Sequence, residues 1–157
     1  MNIKLIAIGK TDNINLQAMI EAYQKRLSFY IKFDLEIIAD IKNVKNLSEN
    51  QQKGKEGELI LAKITATDQL ILLDENGKNY SSLAFSEQLQ KKMSAGIKTL
   101  VFVVGGPYGF SEAVYAKAYA KISLSSMTFS HQMVRLFFIE QLYRGFTILK
   151  NEPYHHQ

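Results

Sequence analysis

The chain has 157 residues, of which 46% are hydrophobic and 22% charged, and one domain spanning 1–157 around a single core accounts for that length. It contains no cysteine, which excludes disulfides, zinc–thiolate sites and thiol catalysis, and no apolar run approaches the length of a membrane span. The net charge of +4 favours an anionic partner such as nucleic acid, although lysines spread along a chain also make an ordinary solvated surface.

Strand-like and helix-like runs alternate from end to end. Ile3–Ile8 is rich in β-formers and reads as a first strand, not a signal peptide. Leu16, Met19, Ile20, Tyr23 and Leu27 then fall on one helical stripe. Phe33, Leu35 and Ile37 alternate with charged residues, as in a strand near a sheet edge with one wet face. The polar stretch NVKNLSENQQKGKEG leads into ELILAKI, so a helix is expected from about Ser48 to Ile64, weakened by Gly54 and Gly57.

Leu70–Leu73 reads as a buried strand closed by a turn at DENGK. Ser81 or Ser82 caps a helix running to Met93 and stopped at Gly96. Thr99–Val104 is another apolar strand, ending in GGPYG, after which Ser111 caps a short helix through Tyr119. A fifth strand begins at Ile122–Leu124, SSMTFSH forms a loop, and a long helix runs from about Gln132 to Lys150, stopped by Asn151 and Pro153. This alternation implies an α/β fold with a largely parallel sheet flanked by helices, and ligands of such sheets bind beyond the carboxyl ends of the strands. Leu73-Asp74, Gly105–Gly109 and Ser125–Phe129 all occupy that position.

GGPYG lacks the lysine and hydroxyl residue of a phosphate-cradling loop and the spacing of the dinucleotide fingerprint, so it is either a close-approach loop or a plain tight turn. SLSSMTFSH is small, apolar and hydroxyl-rich. It suits a flat neutral group such as adenine, with Met127 and Phe129 as walls, or else a buried connection. His131 at the following helix start reads more readily as a capping or satisfied core histidine than as a catalyst. The helix after it carries more apolar side chains than one core stripe uses, which points to a subunit interface. Within it, Glu140 and Arg144 are spaced to pair; each of Arg135 and Arg144 is a structural ion-pair residue or faces an anionic substrate. The closing NEPYHHQ has two adjacent histidines but no acidic or thiol partner at a standard metal-ligand spacing, so no metal is assigned.

Together GGPYG, LSSMTF, HQMVRLFFIEQLYR and NEPYHHQ resemble the ribosomal RNA large subunit methyltransferase H family, of the SPOUT (trefoil-knot) class. The resemblance runs from MNIKLIAIGK through KEGELILAKI to the tail. It implies a C-terminal deep trefoil knot, which general topology rules would disfavour. It further implies a cytoplasmic homodimer that uses S-adenosylmethionine to methylate N3 of a pseudouridine in 23S ribosomal RNA, on the assembled ribosome. The cofactor positions it implies are Leu73, Gly105 and the run Leu124, Ser125, Ser126, Met127, Thr128 and Phe129. The substrate-side residues are Arg144, Tyr154 and His155, with His155 as base, Arg144 holding the developing anion or a phosphate, and Tyr154 orienting the extruded base. Two residues depart from the family pattern: Tyr108 stands where an acid or amide is common, and Ser130 where proline precedes the histidine. The alternatives are a non-enzymatic ribosome- or RNA-binding module, and an α/β enzyme using another nucleotide cofactor.

Overall fold

The computed structural model describes residues 1–156. Five strands, β1 (Asn2–Ile8), β2 (Lys32–Ile38), β3 (Asp68–Asn79), β4 (Thr99–Val104) and β5 (Ala120–Ser123), form one sheet in the order β2-β1-β4-β3-β5. Every pairing is parallel. The helices are α1 (Ile14–Leu27), α2 (Glu49–Leu61), α3 (Ser82–Ser94), α4 (Glu112–Lys117) and α5 (Met133–Leu149). Among the described residues, no helix is long and apolar enough to cross a membrane.

The continuous apolar runs of the central strands follow from burial on both faces. Ile3, Leu5 and Ala7 of β1 join Leu100 and Phe102 of β4 under α1, α3 and α5. Ile6 and Ile8 join Val101 and Val103 on the opposite face, under Ile60 of α2 and Val114 of α4. β2 is an edge strand, as its alternation predicts. Its Glu36 pairs with Lys4 of the neighbouring strand at 3.2 Å and with Lys63 at 2.8 Å.

Local chemistry sets most boundaries. Ser48 opens α2 with a reciprocal capping box to Gln51, Ser81 caps α3, and Ser111 caps α4. Gly57 lets α2 approach α4, since a Cβ there would lie 2.3 Å from Ser111 Oγ. Ser130 Oγ accepts from the Met133 amide (3.1 Å) at the start of α5.

Several boundaries differ from the sequence reading: α2 stops at Leu61, α4 stops at Lys117 and β5 starts at Ala120, and the largest difference is at the end of β3. DENGK is not a closing turn: β3 continues through it to Asn79. The segment bulges, so that Leu73 and Lys78 both pair with Ile122 of β5. Gly77 sits against that strand, where a Cβ would lie 2.5 Å from the Ile122 carbonyl carbon. Turn-forming residues here make a bulge because a neighbouring strand is present to receive the chain again.

Candidate active site

The carboxyl ends of β3, β4 and β5 open into one pocket of about 640 Å³. Its floor is the bulge after Leu73, its wall is GGPYG, and its roof is the loop from Leu124 to His131. All the expected cofactor positions line it except Ser126, which belongs to the same loop. The loop is folded by its own hydroxyls: Ser123 Oγ donates to the Ser125 carbonyl (2.7 Å), and Ser125 Oγ accepts from the Met127 amide (2.9 Å). Met127 is 77% exposed, so of the two expected walls only Phe129 is braced, against Phe137 at 4.9 Å.

GGPYG is a tight turn in which the Gly109 amide donates to the Gly106 carbonyl (3.1 Å), with Gly109 at φ 79°. Behind it stands Glu56 of α2, only 3% exposed, whose Oε1 accepts from Gln52 (2.9 Å) and whose Oε2 has no partner. A Cβ on Gly106 would lie 2.4 Å from that oxygen. Glu56 was missed in the sequence because its surroundings are so polar. The signal was its position one turn before the buried Ile60.

The pocket is electrostatically one-sided. Its formally charged lining residues are Asp74 and Glu75, both carboxylates, in a chain of net charge +4. Tyr115 donates to Asp74 Oδ2 (2.5 Å), and burial together with that carboxylate pushes the phenol up to about 12. The donor set therefore fits a cationic ligand with flat and apolar parts, and it offers phosphate no lysine or arginine.

The roof loop is anchored from behind by Arg135, which is fully buried. Its guanidinium donates to the carbonyls of Ile8 (2.7 Å), Gly9 (2.8 Å) and His131 (3.0 Å) and to Thr11 Oγ1 (3.0 Å). Neither sequence reading of this arginine holds: it makes no ion pair among the described residues and does not line the pocket. Burial lowers its pKa, against the pull of Asp40 and Asp12.

Arg144, Tyr154 and His155 meet one another but not this pocket. Glu140 takes Arg144 Nη2 at 2.5 Å, the pairing their spacing predicts, and accepts from the Tyr154 hydroxyl at 2.9 Å. The Arg144 guanidinium also lies over the Tyr154 ring at 4.7 Å. Arg144 Nη1 faces His155 Nδ1 at 3.3 Å. A guanidinium only donates, so Nδ1 accepts and the imidazole in this arrangement carries its hydrogen on Nε2. Tyr23 bonds the Tyr154 hydroxyl (3.1 Å), and Tyr30 bonds Glu152. Burial first, then Tyr23 and Glu140, hold the Tyr154 phenol far above its ordinary range, so it stays neutral. The tail is thus packed onto α1 and α5. Arg144 lies ten residues beyond Val134, which lines the pocket, a separation of about 15 Å along the helix.

The whole chain matches known sequences. A family described as "Predicted SPOUT methyltransferase" matches residues 1–155. The chain belongs to the SPOUT methyltransferase family. Among its relatives is a Flavobacterium psychrophilum protein named ribosomal RNA large subunit methyltransferase H, 85% identical over 157 residues and covering all of both chains. Proteins of the same name from Flavobacterium johnsoniae and Porphyromonas gingivalis are 81% and 53% identical, again over the full length of both. SPOUT membership makes the chain a methyltransferase and implies a methyl donor. The parallel α/β sheet is the one expected of the class, and the C-terminal knot comes with SPOUT membership.

Proposed function

We propose that this single-domain chain is a cytoplasmic, S-adenosylmethionine-dependent methyltransferase that modifies N3 of a pseudouridine in 23S ribosomal RNA on the assembled ribosome. The ribosomal RNA part of this reading is supported by the name its full-length relatives carry. The observation that carries the cofactor part is the pocket whose charged lining is two carboxylates. S-adenosylmethionine has a net positive charge at neutral pH, whereas nicotinamide and flavin dinucleotides bring a diphosphate that this lining repels.

Leu73, Gly105 and the run from Leu124 to Phe129 would hold the cofactor, mainly through backbone groups and apolar contact. Bound there, S-adenosylmethionine supplies the methyl group. The chain's own residues must then position N3 and manage its proton. Arg144 stabilises the anion left when N3 gives its proton to solvent water, or to His155 Nδ1 once that atom is released from Arg144. With Nδ1 accepting from Arg144, His155 offers Nε2–H as a donor to the uracil ring, and it becomes a base only by leaving Arg144. Neutral Tyr154 orients the base. Because these side chains stand well along α5 from the pocket of their own chain, they complete the pocket of a second copy. A homodimer also accounts for Met127, Phe129, Met133 and Phe137, which leave an apolar patch exposed beside the roof loop.

The deciding experiment is transfer of a labelled methyl group to ribosomes from a strain lacking the modification, with calorimetry of S-adenosylhomocysteine against NAD. Transfer to 23S RNA with selective binding of the first ligand is expected. Ribosome binding without methyl transfer would favour a non-enzymatic module instead.

A further inference from the structure

α1 ends in a turn that presents an aromatic ring to solvent. Phe29 is 81% exposed, and among the described residues no large apolar side chain is more so. Its backbone is held firmly: the Tyr30 amide donates to the Leu27 carbonyl (2.9 Å), Ile31 to the same carbonyl (3.2 Å), and Ser28 Oγ to the Lys25 carbonyl (2.8 Å). A single exposed apolar side chain is ordinary on a protein surface. Three features set this one apart. Lys25, Arg26 and Lys32 surround it in sequence, all exposed, and none belongs to an ion pair among the described residues. Arg26 is already turned onto aromatic faces, 5.2 Å from the Tyr23 ring centre and 6.0 Å from that of Tyr143. Finally, Tyr30 packs edge-on against Tyr143 (5.8 Å), which packs against Tyr154 (4.7 Å). Phe29 therefore stands beside the substrate-side cluster, at the opposite end of α5 from the apolar patch.

We propose that Phe29, with Lys25 and Lys32, is a docking strip for the RNA substrate, on which an unpaired base stacks while the lysines take the flanking phosphates. The proposal rests on the ribosomal RNA reading above and extends it to a surface outside the pocket. A π-face among unpaired cations matches a nucleotide, which offers a flat base and an anionic backbone at once. A protein partner would want a broader apolar patch than one ring among lysines.

The test compares the full-length protein with Phe29→Ala, Phe29→Trp and the double variant Lys25→Ala/Lys32→Ala. Binding to intact ribosomes lacking the modification is measured across salt concentrations, with calorimetry of S-adenosylmethionine and sedimentation of the free protein. Phe29→Ala should weaken ribosome binding by about tenfold and leave cofactor affinity and oligomeric state unchanged, and Phe29→Trp should restore it. The double lysine variant should lower the slope of log affinity against log salt by about one per lysine. Ribosome binding by Phe29→Ala equal to that of the parent overturns the strip. Dissociation of Phe29→Ala into monomers also overturns it, assigning the ring to a subunit contact. If the parent protein itself binds cofactor but no ribosomes, the RNA reading fails and takes the strip with it.

Discussion

Gly106 and Glu56 show how closely the pocket wall is fitted. Alanine at Gly106 would press its Cβ into the Glu56 carboxylate, so Gly106→Ala should cost about 1–3 kcal/mol in chemical denaturation and weaken cofactor binding. Glu56→Ala should relieve part of that cost, making the double variant less destabilised than the sum of the singles. Strict additivity would mean the two side chains do not meet. At His155 the donor and base roles separate by substitution: glutamine retains an N–H donor and alanine does not. His155→Gln should keep several-fold more methyl transfer than His155→Ala at equal cofactor affinity, and equal losses would favour the base role. Residue spacing foretold the Glu140–Arg144 pair, because both partners lie on one helix face. It could not foretell the pairing of Arg135 with the Ile8 and Gly9 carbonyls, which lie more than a hundred residues away and have no side-chain signature.

Among the elements, the β2 edge is tied to its surroundings by charge. Lys63 foremost, with Lys4, holds the Glu36 carboxyl below its ordinary 4.5. A depressed carboxyl stabilises the fold above its unfolded value, and that stabilisation is lost as pH falls through the lower folded value. The parent should therefore be more stable than Glu36→Gln at neutral pH, by less than about 1 kcal/mol for a partly exposed pair. That margin should close as pH drops below 4.5, as thermal denaturation at stepped pH would reveal. A constant margin would assign the effect to packing. Element identity was legible almost throughout, since buried parallel strands and serine caps leave local marks. The continuation of β3 through Asp74–Gly77 was not: DENGK is a turn by composition, and only the presence of β5 makes it a bulge.

For the molecule as a whole, the packed tail separates folding from activity. Removing residues 154–157 deletes Tyr154 and His155 but none of the buried core side chains. Methyl transfer should be abolished, while the melting temperature falls by no more than a few degrees. A large loss of stability would show that the tail is structural. The parallel sheet and the pocket's place were within reach of sequence patterns, whereas strand order and the knot were not, because periodicity carries no information about pairing order or threading. The bonds joining α1 to the tail, Tyr23 to Tyr154 and Tyr30 to Glu152, span 131 and 122 residues. During synthesis at about 5–20 residues per second, the surface that receives the tail thus waits several seconds or more for its partner. The substrate-side cluster is among the last parts of the molecule to assemble, and the pocket lining, which runs to Val134, is synthesised only about 1–4 s before the tail that acts on RNA.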